Sequence, residues 1–443
     1  MKRNKQTHLH GHRGQAFADQ IRGILPEQIL CVSIDISKDF HVVLIHNGLG
    51  EIVRSSFEID IFRHGFEQLC HAVEEAKRET DACVVLVGLE PTGHYYDNLA
   101  RHIHADGQAV TVVNSFAVKQ NRSQRMMARE KDDEIDAASI GDLLRRGEGT
   151  PFRPVTGIYL QLQQLDRLRM REMKIQTMYK NRIIGRLDIL FPGLILTKAA
   201  KDKGTEPLFK APFWECVTLQ RLIRICPDPR HLAAMTEVEL NARFHAQGYR
   251  LGRVYARRII AYARKVLWPD SAVAAIHADL LPLELTALEQ IEARVAVLDE
   301  RIQELLERTP YQILTRVKGL SSVTVGSLAG AVGDPANYKR SRQVFRFSGL
   351  VSGRNDSGIR QRQGKGQGVV KTGSVHLRRA LGTMLNGLIL HQPILSSYYH
   401  KKKQTKETGV ARVATMRRAT GILWATMRDQ EARTLIMRGE TAM

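Results

Sequence analysis

After a basic tail, short apolar runs and amphipathic helical stretches alternate along the first hundred and fifty residues. Leu30–Ile36 reads as a strand, and Phe40–Ile45 follows it after a short turn. Asn47-Gly48 with Leu49-Gly50 makes a second tight turn into Glu51–Phe57. Three strands so closely joined must be antiparallel neighbours. The pattern then predicts a helix over about 61–77, a strand over Cys83–Leu89 and a helix over about 94–105. A strand at Ala109–Val113 and a helix over about 132–146 complete the series. Beyond residue 150 the period changes to a helical one. Leu162, Leu165, Leu168, Ile175 and Met178 recur in an Arg-rich background, and Leu288, Ile291, Val295, Leu298, Ile302 and Leu305 repeat as a heptad seam. Two long helices are expected there, as an antiparallel or dimeric coiled coil. Residues 192–280 form a helical insertion punctuated by Pro192-Gly193 and Pro227-Asp228-Pro229. The seam serves internal packing or oligomerisation equally well. Val317–Ala329 reads as a helix–turn–helix joint, residues 352–374 as a Gly-, Arg- and Gln-rich loop, and helical pattern resumes at Val375.

The order βββαβαβα is that of an RNase H-like sheet, in which a three-strand meander is extended by α/β crossovers. The fold class expected is therefore an α/β RNase H-like N-terminal domain, an all-α coiled-coil middle and a mainly α C-terminal domain. The corresponding boundaries are a basic tail at 1–27, then 28–150, 151–310 and 311–443. Composition agrees with a globular chain of 443 residues, 43% of them hydrophobic. No unbroken run of about 18 apolar residues occurs and the basic N-terminus lacks an apolar core, so neither a membrane span nor a secretory signal is expected. Five scattered cysteines without a C-x-x-C pair fit a reducing cytoplasm better than disulfides or structural zinc.

Charge changes the picture most. The net charge is +20, and from Lys339 onward there are 21 Lys+Arg against 5 Asp+Glu. A single-sign block of that size calls for a polyanion, and nucleic acid suits it better than a membrane surface. Arg354, Arg360, Arg362, Lys365, Lys371, Arg378 and Arg379 are the expected phosphate contacts.

Four carboxylates are candidates for chemistry. Asp35 interrupts an apolar strand and shares a face with Ser33, while Glu90 closes the fourth strand. In the expected topology those two strands are adjacent. Asp133 and Asp136 stand at i,i+3 on the last helix, which packs near the first strand in such a fold. Converging carboxylates repel unless cations neutralise them, and hard oxygen donors suit Mg²⁺, with Mn²⁺ an alternative. Asp132 and Glu134 lie on other faces of that helix and are expected to be solvated.

Ile34–Phe40, Gly88–Tyr95 and Lys131–Ala137 resemble the three acidic motifs of DEDD-type transposases of bacterial insertion sequences. Phe345–Leu350, Asp356-Ser357-Gly358 and Lys371–Arg379 resemble that family's C-terminal domain. Two positions depart from the pattern. Asp132 stands where the family usually has Thr, and Ser352 where it usually has Pro. The resemblance implies a recombinase whose RuvC-like domain binds Mg²⁺ through Asp35, Glu90, Asp133 and Asp136. It further implies Ser357 as the nucleophile toward a DNA phosphate, with Ser352 and Ser374 as alternates. Donor and target DNA, an element-encoded guide RNA, a homodimer or homotetramer and a nucleoid-associated, cytoplasmic location are implied as well. Two rivals share the basic C-terminus: a metal-dependent junction endonuclease using only the acidic site, and a non-catalytic nucleic-acid-binding protein.

Overall fold

The computed structural model describes residues 11–125, 133–196, 207–209, 211–351 and 373–428. The chain divides into two compact units, Met1–Pro154 and Val155–Met443.

The first unit is a six-stranded mixed sheet in the order β3-β2-β1-β4-β5-β6. Its strands are β1 (Ile29–Ile36), β2 (Phe40–Asn47), β3 (Ile52–Asp60), β4 (Val84–Leu89), β5 (Val110–Val112) and β6 (Thr150–Pro151). The meander β1–β2–β3 is antiparallel, β4 and β5 add in parallel, and β6 closes antiparallel. This fits an RNase H-like sheet. The Asn47 turn is built as its sequence demands, with the side-chain Oδ1 accepting from the backbone N–H of Leu49, Gly50 and Glu51 at 3.0, 3.1 and 3.0 Å. Five helices surround the strands: α1 (Gly11–Gln20), α2 (Arg63–Thr80), α3 (Tyr96–Ala105), α4 (Ser115–Arg125) and α5 (Asp133–Arg145). Leu30, Val32, Ile34 and Ile36 pack with Leu69 and Val73 of α2 and Ile103 of α3. The opposite face carries Ile29 and Cys31 against Leu144 of α5, joined by Phe17, Ile21 and Ile24. Phe17, Ile21 and Ile24, within the segment expected to be a basic tail, thus have a partner surface. Burial on both faces explains why β1 reads as one apolar run broken only by Ser33 and Asp35.

The second unit is helical: α6 (Gly157–Leu190), α7 (Val217–Ile225), α8 (Pro229–Ala234), α9 (Glu237–Ala246), α10 (Arg253–Lys265), α11 (Ser271–Glu307), α12 (Ser322–Val332), α13 (Ser341–Phe347), α14 (Val375–His391), α15 (Pro393–Thr405) and α16 (Thr408–Arg428). The long α6 and α11 run antiparallel. Arg169 pairs with Asp299, Glu172 with Arg294 at 3.0 Å, and Arg186 grips both carboxylate oxygens of Glu284 at 2.7 and 2.8 Å. Leu288, Ile291, Val295, Ile302 and Leu305 are buried within the chain itself, so the heptad seam is used in internal packing. By length and composition α11 is apolar enough to cross a membrane. Its Glu284 is paired to Arg186, and Leu281, Leu285 and Leu288 are buried in the unit's own core. Residues 208–288 and the end of α6 share one hydrophobic cluster, and the C-terminal helices share another with Leu162 and the end of α11.

Candidate active site

The acids of the first unit are positioned by strand register and by the direction of α5. Ile34 pairs with Leu89, so Asp35 and Glu90 are the next residues along two adjacent parallel strands. Gly88 faces α5 so closely that a Cβ there would meet Leu144 at 3.0 Å. A Cβ on Gly141 would reach Ser33 Oγ at 3.1 Å and overlap the His46 ring. The two glycines let helix and sheet approach, and by alternation Asp35 and Glu90 share that α5-facing side. Leu144 lies over Cys31 and Gly141 over Ser33, so α5 runs back along β1. Its first turn, with Asp133, Glu134 and Asp136, therefore lies toward the strand ends bearing Asp35 and Glu90. Acids in a first turn are also favoured by the helix dipole. Asp35 and Glu90 are half-buried, Asp133 and Glu134 exposed, and Asp136 is buried at 6% exposure. Asp132 lies outside the described residues. Beneath the helix, burial pushes the Cys31 thiol up to about 12, which makes it an inert core group.

One residue of this site was not anticipated. Arg122, on α4, donates to both carboxylate oxygens of Asp136 at 2.5 and 2.7 Å. The pair is mostly buried, with 20% of the Arg122 and 8% of the Asp136 side chain exposed. Nothing in the expected order βββαβαβα provides a helix between Val113 and residue 132. The signal was nonetheless present: Asn114 caps the helix, its Oδ1 accepting from Phe116 N at 2.9 Å. Asn121, one residue before Arg122, ties α4 to Asp142 of α5 at 3.2 Å.

In the second unit, Ser357, Ser352, Arg354, Arg360, Arg362, Lys365 and Lys371 lie outside the described residues. The remaining candidates have internal partners. Ser374 caps α14, its Oγ accepting from Leu377 N at 3.2 Å. Arg378 donates to the carbonyls of Ser348 and Gly373, both at 2.9 Å. Arg379 is ion-paired to the buried Asp166, which also accepts from Ser327 Oγ at 2.5 Å. Beside them His376 is held below its ordinary pKa by burial first, and then by the charges of Arg167 and Arg379, against which Asp166 works.

Comparison with known proteins bears on the whole arrangement. Residues 32–192 match the DEDD transposase family of the IS110 type, and residues 311–400 match the family described as transposase IS116/IS110/IS902. The chain belongs to the IS110 family of DEDD transposases. Among curated relatives, a probable family 20 transposase of Pseudomonas aeruginosa is 27% identical over 143 residues, covering 31% of this chain and 41% of that relative. In this IS110-family chain all four acids fall in the first matched segment, and Ser374, Arg378 and Arg379 in the second. Residues 193–310 lie in neither.

A DEDD family usually employs a divalent cation, and the donors here suit one: carboxylate oxygens are hard ligands of the kind Mg²⁺ or Mn²⁺ takes. Among the described residues no three His, Cys, Asp or Glu side chains stand close enough together to hold an ion. At Asp136 the positive charge is supplied by Arg122, a guanidinium where a cation would be needed to neutralise the carboxylate.

Proposed function

We propose that this chain is a DNA recombinase that cuts and rejoins strands through a serine nucleophile assisted by a metal-binding acidic site. What supports the reading is the register that makes Asp35 and Glu90 the next residues along adjacent strands, with Asp133 and Asp136 in the first turn of a helix packed on the same face. Residues 28–150 would act as the metal-binding domain, in which Asp35, Glu90, Asp133 and Asp136 would be the residues to hold Mg²⁺ or Mn²⁺. The cation, when bound, screens the phosphate and stabilises the charge that builds up on its oxygens during transfer. Asp35 and Glu90, fixed on rigid strands, set the position of the site. Asp133 and Asp136 complete it from a separate element, so the geometry depends on how α5 seats on β1. Arg122 neutralises the buried Asp136 carboxylate in the folded chain.

Ser357 attacks phosphorus through Oγ, forming an O–P bond as a backbone P–O bond breaks. The resulting serine phosphodiester retains the bond for later rejoining. Residues 311–443 present that serine among basic side chains that position DNA without reading its sequence. Sequence choice is delegated to an element-encoded RNA, and the chain works as a dimer or tetramer in which the antiparallel α6–α11 pair is a coiled-coil arm within 151–310. Its place of action is the bacterial nucleoid.

The test is to incubate the full-length protein with the element's flanking RNA, both DNA partners and Mg²⁺, then denature and probe for protein-linked DNA. The expected result is an adduct in the wild type, lost in Ser357→Ala and in Asp35→Ala. Cleavage without adduct, unaffected by Ser357→Ala, would leave a two-metal junction endonuclease instead.

A further inference from the structure

We infer that the helical insertion, which neither family match covers, carries a binding surface of its own for single-stranded nucleic acid, built on α10. Between Gln247 and Lys265 the sequence has six basic residues and no acid. Ala256, Ile259, Ile260 and Ala263 bury one side of α10. The 3.6-residue period consequently sets Arg253, Arg257 and Arg264 along one edge of the exposed side, Arg258 and Lys265 along its ridge, and Tyr255 on the far edge.

Most of this charge is uncompensated. Arg257 pairs with Glu237 at 2.7 Å, whereas Arg253 and Lys265 form no ion pair among the described residues. Arg258 and Arg264 are steadied by the carbonyls of Leu208 and Ala233, at 2.9 and 3.0 Å, contacts that orient a guanidinium without cancelling its charge. From Arg253 to Lys265 the stripe runs about 18 Å along the helix axis.

The aromatic edge decides the class of partner. Tyr255 is 48% exposed and lies flat on Phe209, with centroids 5.7 Å apart and planes 5° from parallel. An exposed ring beside Arg258, across the exposed side from Arg253 and Arg257, offers unstacked bases a stacking platform, and it is superfluous for a duplex held by its backbone alone. The surface is independent of the acids and of Ser357, so it stands or falls apart from the proposed reaction.

The test uses the full-length protein and labelled 20-nucleotide RNA and DNA strands of one sequence, in fluorescence anisotropy across a salt series. The triple variant Arg253→Ala/Arg257→Ala/Lys265→Ala should lower the slope of log affinity against log salt by about 2, at about 0.7 per phosphate contact. Tyr255→Ala should weaken binding roughly ten- to a hundredfold with the slope unchanged. Ultraviolet crosslinking should label the peptide containing Tyr255. Losses confined to one polymer identify it as the partner, and losses in both assign single strands generally. Unchanged slopes together with no crosslink on that peptide would overturn the inference. So would variants that bind both strands normally and lose only attachment to phosphatidylglycerol vesicles.

Discussion

Replacing Arg122 by alanine isolates the charge balance at the acidic site. The guanidinium meets both oxygens of Asp136, and four-fifths of one side chain and nine-tenths of the other are withdrawn from water. Deleting one member of a buried pair leaves the other uncompensated, at a cost of about 3–5 kcal/mol. Arg122 keeps a fifth of its surface in solvent, so water can partly enter the gap and the lower figure, about 3 kcal/mol, is the one expected. For a unit of about 150 residues that lowers the melting temperature by roughly 6–12 °C. A divalent cation that binds only the folded chain restores about 2.7 kcal/mol at a hundredfold excess over its dissociation constant. On the proposed ligation by Asp136, part of that gain would go into displacing Arg122 in the wild type and none in Arg122→Ala. Differential scanning calorimetry in EDTA and across a Mn²⁺ series reads both effects. The expected result is a less stable Arg122→Ala in EDTA whose melting temperature rises further with Mn²⁺ than the wild type's, while Asp136→Asn loses most of the Mn²⁺ response. An Arg122→Ala protein as stable as wild type in EDTA, or equal Mn²⁺ shifts in both, would refute the reasoning.

Two further outcomes follow from other parts of the second unit. A Cβ on Gly387 of α14 would overlap the backbone carbonyl of Gly319, itself at φ +100°, whereas one on Gly382 of the same helix meets nothing within 4 Å. Gly387→Ala should therefore destabilise by about 1–3 kcal/mol or more, and Gly382→Ala should be neutral or stabilising by up to about 1 kcal/mol; equal urea midpoints for the two would contradict the close approach. His376 titrates lower folded than unfolded, so its neutral ring is favoured in the native state. Below the unfolded value of about 6.5 the unfolded chain binds the extra proton, and stability falls as pH drops toward the folded value. Urea unfolding of wild type and His376→Gln at pH 5.5, 6.5 and 7.5 should show the shallower pH dependence in the variant. Parallel profiles would remove His376 from the balance.

The sheet was legible because its signals are local. Short apolar runs between turn signals marked β1 to β4, Asn47-Gly48 marked the hairpin, and the observed helices α2, α3 and α5 begin or end within a few residues of the positions their periodicity indicates. Asp35 stood out as a charge inside a strand buried on both sides. What escaped was long-range or short. The two-residue β6 has no room for a pattern, and α4 is so polar that only its Asn114 cap announces it. Arg122 was invisible because its meaning depends on α4 packing on α5, fourteen residues on. The seam of α11 could not declare its partner for the same reason: α6 is recognised through Arg186–Glu284 and Glu172–Arg294, pairs separated by about a hundred residues.

Arg378 has a bracing role inside the fold even within the block that gives the chain its excess of basic charge. Ser374 N donates to Phe347 O at 2.8 Å, and Arg378 bridges the carbonyls of Ser348 and Gly373. These three hydrogen bonds, at about 1 kcal/mol each and two of them from a charged donor, brace the end of α13 against the N-terminus of α14. One more exposed phosphate contact would contribute less than such a brace, because surface charges are screened by salt. The same holds for Arg379, whose charge is answered by a buried aspartate. The charge free to meet a polyanion is then smaller than the sequence total and sits on residues without such partners, which is why an exposed, acid-free stripe such as α10 can matter to binding out of proportion to its length.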